Sequence, residues 1–358
     1  MTYDFLFPGM KAGGAERISL YFARILKRHG HQVRLINLYN TKGGMSGWLE
    51  KDEFEVVTLG CSRSLSAISA LRKYLKAHRS DIVFTSLESS AIAALIACRG
   101  TDIPVILRLP NMPRNNLRKG LKALKIRIVK WAIRRLFHRA QAVIAQTEEM
   151  RTEAIAYYGL PEDKVVTIYN PLDAESVRRS AAEGENPFAT SGPRFLSVGT
   201  IDYRKGFDTL LEAFSKVKSR LSDATLTIVG DKGSDYAHQL TDKWAGADGV
   251  DFCGYKKSPY PYMAHCDVFV LPSRMEGFPN VLLEAMCLDK PVVATTCLPV
   301  INQIVNDGQN GYICPVDAPD QLADRMIDAL RLGEIHNTYH LFDEVKMLQL
   351  FEIDHKKK

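Results

Sequence analysis

The sequence predicts an α/β protein of two consecutive domains, each built on a largely parallel sheet. Three observations predict it. Short β-branched runs alternate with helix-length amphipathic stretches along nearly the whole chain, which is the pattern of repeated strand–helix units. The alternation breaks at the polar, small-residue stretch SAAEGENPFATSGP, residues 180–193, and then restarts, as it would across a linker between domains. The length of 358 residues exceeds the usual size of one domain.

In the first domain, expected over residues 1–175, the strands are DFLF, QVRLINL, FEVVTL, DIVFT, PVILRL, AVIA and KVVTIY. Helices are expected over 16–29, 65–78, 88–99, 117–139 and 148–158. Leu160-Pro161 and Asn170-Pro171 punctuate the end of the series, because the residue before a proline is turned away from helix. The second domain, expected over 190–335, reads RFLSVG, helix 207–219, ATLTIVG, helix 236–246, VDFCG, DVFVL, helix 280–288, PVVAT, helix 301–306, strand YIC and helix 319–332. Residues 336–358 form a short tail. Ligands of open parallel sheets sit beyond the carboxyl ends of the strands, so the cleft between two such domains is the expected place for chemistry.

Apolar residues at 46% and charged residues at 25% describe an ordinary folded chain. Seven cysteines are scattered without a CxxC pair, which fits a reducing compartment better than a disulfide framework. The opening MTYDFLFPGM has no basic segment leading into a long apolar one, so no signal peptide is expected. No stretch reaches the roughly 18–20 apolar residues of a membrane span. The expected location is therefore cytoplasmic, with any membrane contact peripheral and on the cytoplasmic face.

The net charge of +6 hides a division. Residues 1–170 hold 27 Lys/Arg against 14 Asp/Glu, and the remainder holds 20 against 27. The first half thus suits an anionic surface. Its most basic segment, residues 118–139, has nine Lys/Arg, and no acid occurs from 103 to 147. On a helical projection Arg127, Lys130 and Arg134 form a narrow basic arc. Leu121, Leu124, Ile128, Val129, Trp131, Ile133 and Leu136 spread over a wider apolar region, flanked by Lys122, Lys125 and Arg135. Long basic side chains at such a border can snorkel. An interfacial helix on an anionic membrane fits this pattern; an ordinary buried helix with a solvated basic rim fits it too. Nucleic acid is not expected as a partner, because the segment lacks aromatic interleaving for base stacking.

The most informative run is EGFPNVLLEAMCLDKPVVAT, residues 276–295. Glu276 stands in the loop after strand DVFVL, and Pro279 is tolerated in a helix's first turn, where an amide lacks a partner anyway. Glu284 lies on the helix that follows, so the two acids can reach one ligand from different heights. A carboxylate accepts two hydroxyls at once, which suits the diols of sugars and ribose. Amides at the helix entrance, near Gly277, Phe278 and Asn280, can face a phosphate oxygen. In SVGTIDYRKGFDTLLEAF, residues 197–214, Arg204 and Lys205 lie between a strand and a helix, with Gly206 to turn the backbone. Two cations there can meet a diphosphate whose charge grows as a bond breaks; a basic surface turn is the plain alternative. In PGMKAGGAER, Gly13 and Gly14 precede a helix and permit close backbone approach.

Residues 276–295 closely resemble the signature of the retaining glycosyltransferases of the two-Rossmann-domain (GT-B) architecture, often called family 4. The resemblance runs through about the first 330 residues. It implies a GT-B fold of two Rossmann-like domains with an interdomain cleft: a membrane-facing, acceptor-binding first domain and a nucleotide-sugar-binding second one. It implies that Glu276 meets donor-sugar hydroxyls beside Gly277 and Phe278, that Glu284 holds the nucleotide's ribose, and that Gly13-Gly14 wall the donor phosphates. The family's usual arginine after Gly199 is Thr200 here, and Arg204 is taken to supply that charge beside Lys205. The first-domain histidine of many relatives is missing from RLPNMPRNN, where Arg108 and Asn111 are the polar acceptor-side candidates. The closing helix of many relatives, which crosses back to the first domain, is expected to be truncated, altered or replaced by residues 335–352.

No histidine shows metal-ligand spacing and no DxD motif occurs, so neither metal nor cofactor is expected. The expected function is transfer of a hexose or N-acetylhexosamine from a nucleotide sugar, UDP-sugar preferred, to a lipid-linked saccharide. That reaction would serve envelope polysaccharide, lipopolysaccharide or glycoprotein-glycan synthesis. A transferase acting on a soluble acceptor and a noncatalytic sugar-nucleotide-binding scaffold are the alternatives.

Overall fold

The computed structural model describes residues 1–9, 13–40, 47–62, 64–113, 131, 133–333, 335–337 and 339–352. The chain divides into two compact units, Met1–Pro171 with Leu341–Lys358, and Leu172–His340.

The first unit holds seven strands: β1 (Thr2–Phe7), β2 (Gln32–Tyr39), β3 (Glu55–Cys61), β4 (Ile82–Thr85), β5 (Val105–Arg108), β6 (Ala142–Ala145) and β7 (Val165–Thr167). Their order is β3-β2-β1-β4-β5-β6-β7, with parallel pairing throughout. Successive side chains of a strand point to opposite faces, and β1 divides accordingly. Tyr3, Phe5 and Phe7 join a core with helix Gly14–Arg28, while Leu6 joins one with helices Ser64–Ala77, Glu88–Ala97 and Glu148–Tyr158. Burial on both faces explains why these strands read as continuous apolar runs. A buried ion pair crosses the register partners Asp4 and Arg34, with Arg34 Nε and Nη2 donating to the carboxylate at 2.7 and 3.0 Å.

The second unit repeats the plan with β8 (Arg194–Val198), β9 (Thr225–Val229), β10 (Val250–Gly254), β11 (Val268–Leu271), β12 (Val292–Thr295) and β13 (Gly311–Cys314). The parallel order is β10-β9-β8-β11-β12-β13. Strand order reverses between β8 and β11, as it does between β1 and β4 in the first unit. Such a reversal opens a crevice at the carboxyl ends of the two central strands.

One segment differs from its sequence reading, and the tail, read as truncated, altered or replaced by residues 335–352, carries a helix within those bounds. Part of the stretch read as linker is helical: Asp173 caps helix Ala174–Ala182 by accepting from Ser176 N, and Val177 and Ala181 are buried one turn apart. That helix belongs with the second unit. The tail belongs with the first. Helix Glu344–Phe351, capped by Asp343, buries Met347 and Phe351 in the same core as β1. The Phe351 ring lies 5.5–6.4 Å from those of Tyr3, Phe5, Phe22 and Phe84, and Tyr3 Oη donates to the Phe351 carbonyl at 3.1 Å.

Phe351→Ala is expected to cost about 3–5 kcal/mol, the range for emptying a fully buried aromatic site. Urea melting checks this, with the midpoint lowered and Phe351→Leu losing less.

Candidate functional site

Two loops at the carboxyl edge of the second sheet build the site. After β8 the chain makes a short turn, Tyr203–Lys205, opened by Asp202, whose Oδ1 accepts from Arg204 N at 2.9 Å. Gly206 closes it with φ +65°, and a Cβ there would lie 2.0 Å from the Pro272 carbonyl oxygen. Only glycine permits both that conformation and that approach. After β11 the chain runs from Pro272 to helix Asn280–Cys287. The loops are joined by backbone: Arg204 O accepts from Arg274 N at 2.7 Å and Met275 N at 3.2 Å.

This lacing brings Lys205 Nζ to 2.7 Å from Glu276 Oε1, with the side chains 17% and 8% exposed. Ser273 Oγ donates to the same oxygen at 2.7 Å. Ser273 is held in turn by its carbonyl, which accepts from Thr295 Oγ1 at the end of β12. Beyond β12, burial pushes the Cys297 thiol up to about 12, and the Glu276 charge adds to the rise. The ends of the neighbouring strands β8, β11 and β12 therefore surround one buried carboxylate and one lysine.

The other residues singled out in the sequence fall as follows. Glu284 is buried on helix Asn280–Cys287, Gly277 and Phe278 are buried before it, and Asn280 is half-buried at its start. Arg204 does not join Lys205. Its Nη2 donates to Asp202 Oδ2 at 2.7 Å, so the two adjacent cations diverge. Gly13 precedes helix Gly14–Arg28 in extended conformation, and a Cβ on Gly14 would meet nothing within 4 Å. The space beside Gly14 is open, but no left-handed backbone demands glycine at either position.

Arg108 ends β5 and is buried, with Nη2 donating to Asn170 Oδ1 at 2.6 Å. Asn111 is exposed. Lys122, Lys125, Arg127 and Lys130 lie outside the described residues. Trp131 is 63% exposed, and Arg135 stands over its ring at 5.9 Å. Arg134 donates through Nε and Nη2 to Tyr157 O. Of the two readings left open for the basic segment, the buried helix with a basic rim holds at Ile133, which is buried in the first unit's core with Phe137, and Leu136 packs against them. Among the described residues no group of three histidine, cysteine or acidic side chains is placed to hold a metal ion.

Sequence reasoning passed over Arg274. Nη1 and Nη2 donate to the Asp208 carboxylate at 2.7 and 2.8 Å, Nε to Asp317 at 2.6 Å, and Nη1 also to Tyr203 O. The guanidinium stacks 4.2 Å from the Tyr203 ring. Arg274 thus ties the lysine turn, helix Phe207–Arg220 and the segment after β13 to the loop that carries Glu276. Its position just before Glu276 was the only local signal.

Burial alone would raise the Asp208 carboxyl; the hydrogen bonds and charge of Arg274 outweigh it and hold the group below the ordinary carboxylate range. A depressed carboxyl contributes stability above its unfolded pKa and loses it as pH falls through the folded value. Arg274→Ala is therefore expected to cost about 2 kcal/mol near neutral pH, with the difference from the parent chain shrinking below pH 4 or thereabouts. Thermal melts of both proteins between pH 3 and 7 measure it.

Two family models match the chain: "Glycosyltransferase Family 4" over residues 12–176 and "Glycosyl transferases group 1" over residues 192–331. Relatives include an N-acetylgalactosaminyltransferase of Campylobacter jejuni whose named acceptor is a diphospho-undecaprenol-linked saccharide, 25% identical over 61% of this chain and 60% of its own. The phosphatidyl-myo-inositol mannosyltransferase of Mycobacterium tuberculosis is 29% identical over 92% of this chain and 84% of its own. The chain spans 60% of the length of the Campylobacter relative and likewise of an uncharacterized glycosyltransferase of Methanocaldococcus jannaschii, 24% identical over 68% of this chain. In fold, the chain is similar to HepE of Anabaena, solved in complex with UDP-glucose, with a TM-score of 0.78 at 22% identity over 98% of both chains.

Proposed function

The chain belongs to the glycosyltransferases of the GT-B fold, and from that premise we propose that it transfers a hexose or N-acetylhexosamine from a UDP-sugar to a lipid-linked saccharide with retention of configuration. The observation that carries this reading is the buried Lys205–Glu276 pair at the strand-order reversal of the second unit.

As the bond from the anomeric carbon to the donor diphosphate breaks, negative charge collects on the departing UDP. Lys205 neutralises it, shared between Glu276 and the phosphate, and preorganised charge of this kind counts most where charge develops. Arg204, 42% exposed on its side chain, exchanges Asp202 for the phosphate as the second cation. Glu276, oriented by Ser273, accepts hydroxyls of the sugar, and Glu284 accepts those of the ribose. Gly277, Phe278 and Asn280 form the helix entrance beside the sugar; in the first unit, Gly13-Gly14 offer close backbone approach to a phosphate oxygen. The acceptor hydroxyl approaches the face that UDP leaves; its oxygen bonds to the anomeric carbon and its proton passes to the leaving phosphate.

UDP as the nucleotide is supported by the ligand of HepE. A lipid-linked acceptor is supported by the names of the Campylobacter and Mycobacterium relatives. The basic segment containing Lys122, Lys125, Arg127, Lys130, Trp131 and Arg134 then meets an anionic membrane from the cytoplasmic face, with exposed Trp131 at the interface. No described helix is long and apolar enough to cross a membrane. Arg108 and Asn111 stand on the acceptor side.

Lys205→Ala and Glu276→Ala are each expected to lower UDP release in the presence of acceptor by about 10²–10³-fold, the range for removing a preorganised transition-state contact. Undiminished turnover in both variants would remove the mechanism. UDP-sugar binding with no UDP release to any acceptor from membrane extracts would leave the scaffold reading in its place.

A further inference from the structure

Among the described residues, the first unit contains two buried arginines in contrasting settings. Arg34 meets the Asp4 carboxylate through Nε and Nη2 and donates also to Arg79 O. Its charge has a counter-ion within reach, and Asp4 outweighs the effect of burial to hold the guanidinium above its ordinary range. Arg108 is 3% exposed, yet among the described residues its hydrogen bond goes to the neutral amide oxygen of Asn170. Among the described residues, Nε and Nη1 are buried without a hydrogen-bond partner. No ion pair involves Arg108 among the described residues, and burial alone acts on it, pulling it below its ordinary range.

A guanidinium does not escape this by losing its proton in a protein. A buried charge without an opposite charge is costly, and native structures seldom tolerate one. The surroundings hold the group in place without neutralising it. Asn170 Nδ2 donates to Gln146 Oε1 at 2.8 Å, and Gln146 Nε2 donates to Leu109 O at 2.7 Å. Arg108, Gln146 and Asn170 stand at or just beyond the carboxyl ends of the neighbouring strands β5, β6 and β7. Thr167 Oγ1, at the end of β7, is a further buried polar atom without a hydrogen-bond partner among the described residues. This edge is where open parallel sheets receive ligands.

We propose that Arg108, steadied by Asn170 and Gln146, is a subsite for a phosphate oxyanion of the acceptor. It rests on the glycosyltransferase reading and deepens it: the acceptor is a phosphorylated lipid carrier rather than a neutral glycolipid. The arginine supplies charge-assisted donors on two free nitrogens, and the oxyanion supplies the missing countercharge. A phosphate oxyanion could equally come from the nucleotide, so the test separates the two sources.

Calorimetric titration of the full chain, saturated with UDP, uses geranyl diphosphate as the probe and geraniol as its neutral counterpart. The parent chain is expected to bind the diphosphate and not the alcohol, Arg108→Gln at least tenfold more weakly, and Arg108→Lys in between. UDP affinity, measured separately, is expected to be the same for parent and Arg108→Gln, which places the anion on the acceptor. Binding of geranyl diphosphate by folded Arg108→Gln within twofold of the parent overturns the proposal. So does a tenfold loss of UDP affinity in that variant, which would give the arginine to the nucleotide. Should Arg108→Gln not fold, the parent decides: binding UDP but not geranyl diphosphate also overturns it. A parent chain that binds no UDP counts instead against the glycosyltransferase reading, while its geranyl diphosphate titration still tests the subsite.

Discussion

A lysine ammonium and a carboxylate held 2.7 Å apart away from water must recover a large desolvation cost, and they do so only when the surroundings fix their geometry. Here four devices fix it. Ser273 shares the carboxylate oxygen, two amides close on the Arg204 carbonyl, Gly206 lets the Pro272 carbonyl approach, and Arg274 fastens the turn from its outer side. All four need β8 and β11 to be neighbours, which they are only because the strand order reverses between them. Sheet connectivity thus comes first, and the chemistry of the second unit follows from it.

The units share a strand order but furnish their edges differently. The edge of the second carries formal charges in opposed pairs: Lys205 with Glu276, Arg204 with Asp202, and Arg274 with Asp208 and Asp317. That of the first carries hydroxyls and amides, with Ser19 against Ser86, Thr85 against Ser90, and Gln146 against Asn170. Arg108, at the end of β5, adds a buried guanidinium to them. An edge of opposed charges suits a ligand that changes its own charge during reaction, whereas neutral groups suit recognition of one that does not.

What the sequence revealed was local. Strands stood out because β1, β4, β5, β6, β11 and β12 are buried along almost their whole length, so their composition is nearly uniform. Glu276 and Glu284 were legible because a strand, a Gly-Phe-Pro turn and a helix follow one another without interruption. The rest depends on residues far apart in the chain. Lys205 and Glu276 are separated by 71 positions, Arg108 and Asn170 by 62, and Tyr3 and Phe351 by 348. Ile133 shows the same limit from the other side. Its helical projection gave it to an apolar stripe correctly, but a projection does not say whether lipid or protein covers the stripe.

The return of helix Glu344–Phe351 to the sheet that begins at Thr2 bears on how the polypeptide is made. Ribosomes deliver the amino-terminal part first, and domains ordinarily fold in that order. Here Tyr3, Phe5 and Phe22 lack the Phe351 ring until more than three hundred further residues have emerged, Phe84 lacks it for 267, and the intervening Leu172–His340 unit has all its strands before that ring arrives. For that interval the site Phe351 will fill stands open as an apolar patch, the kind of surface through which unfinished chains aggregate.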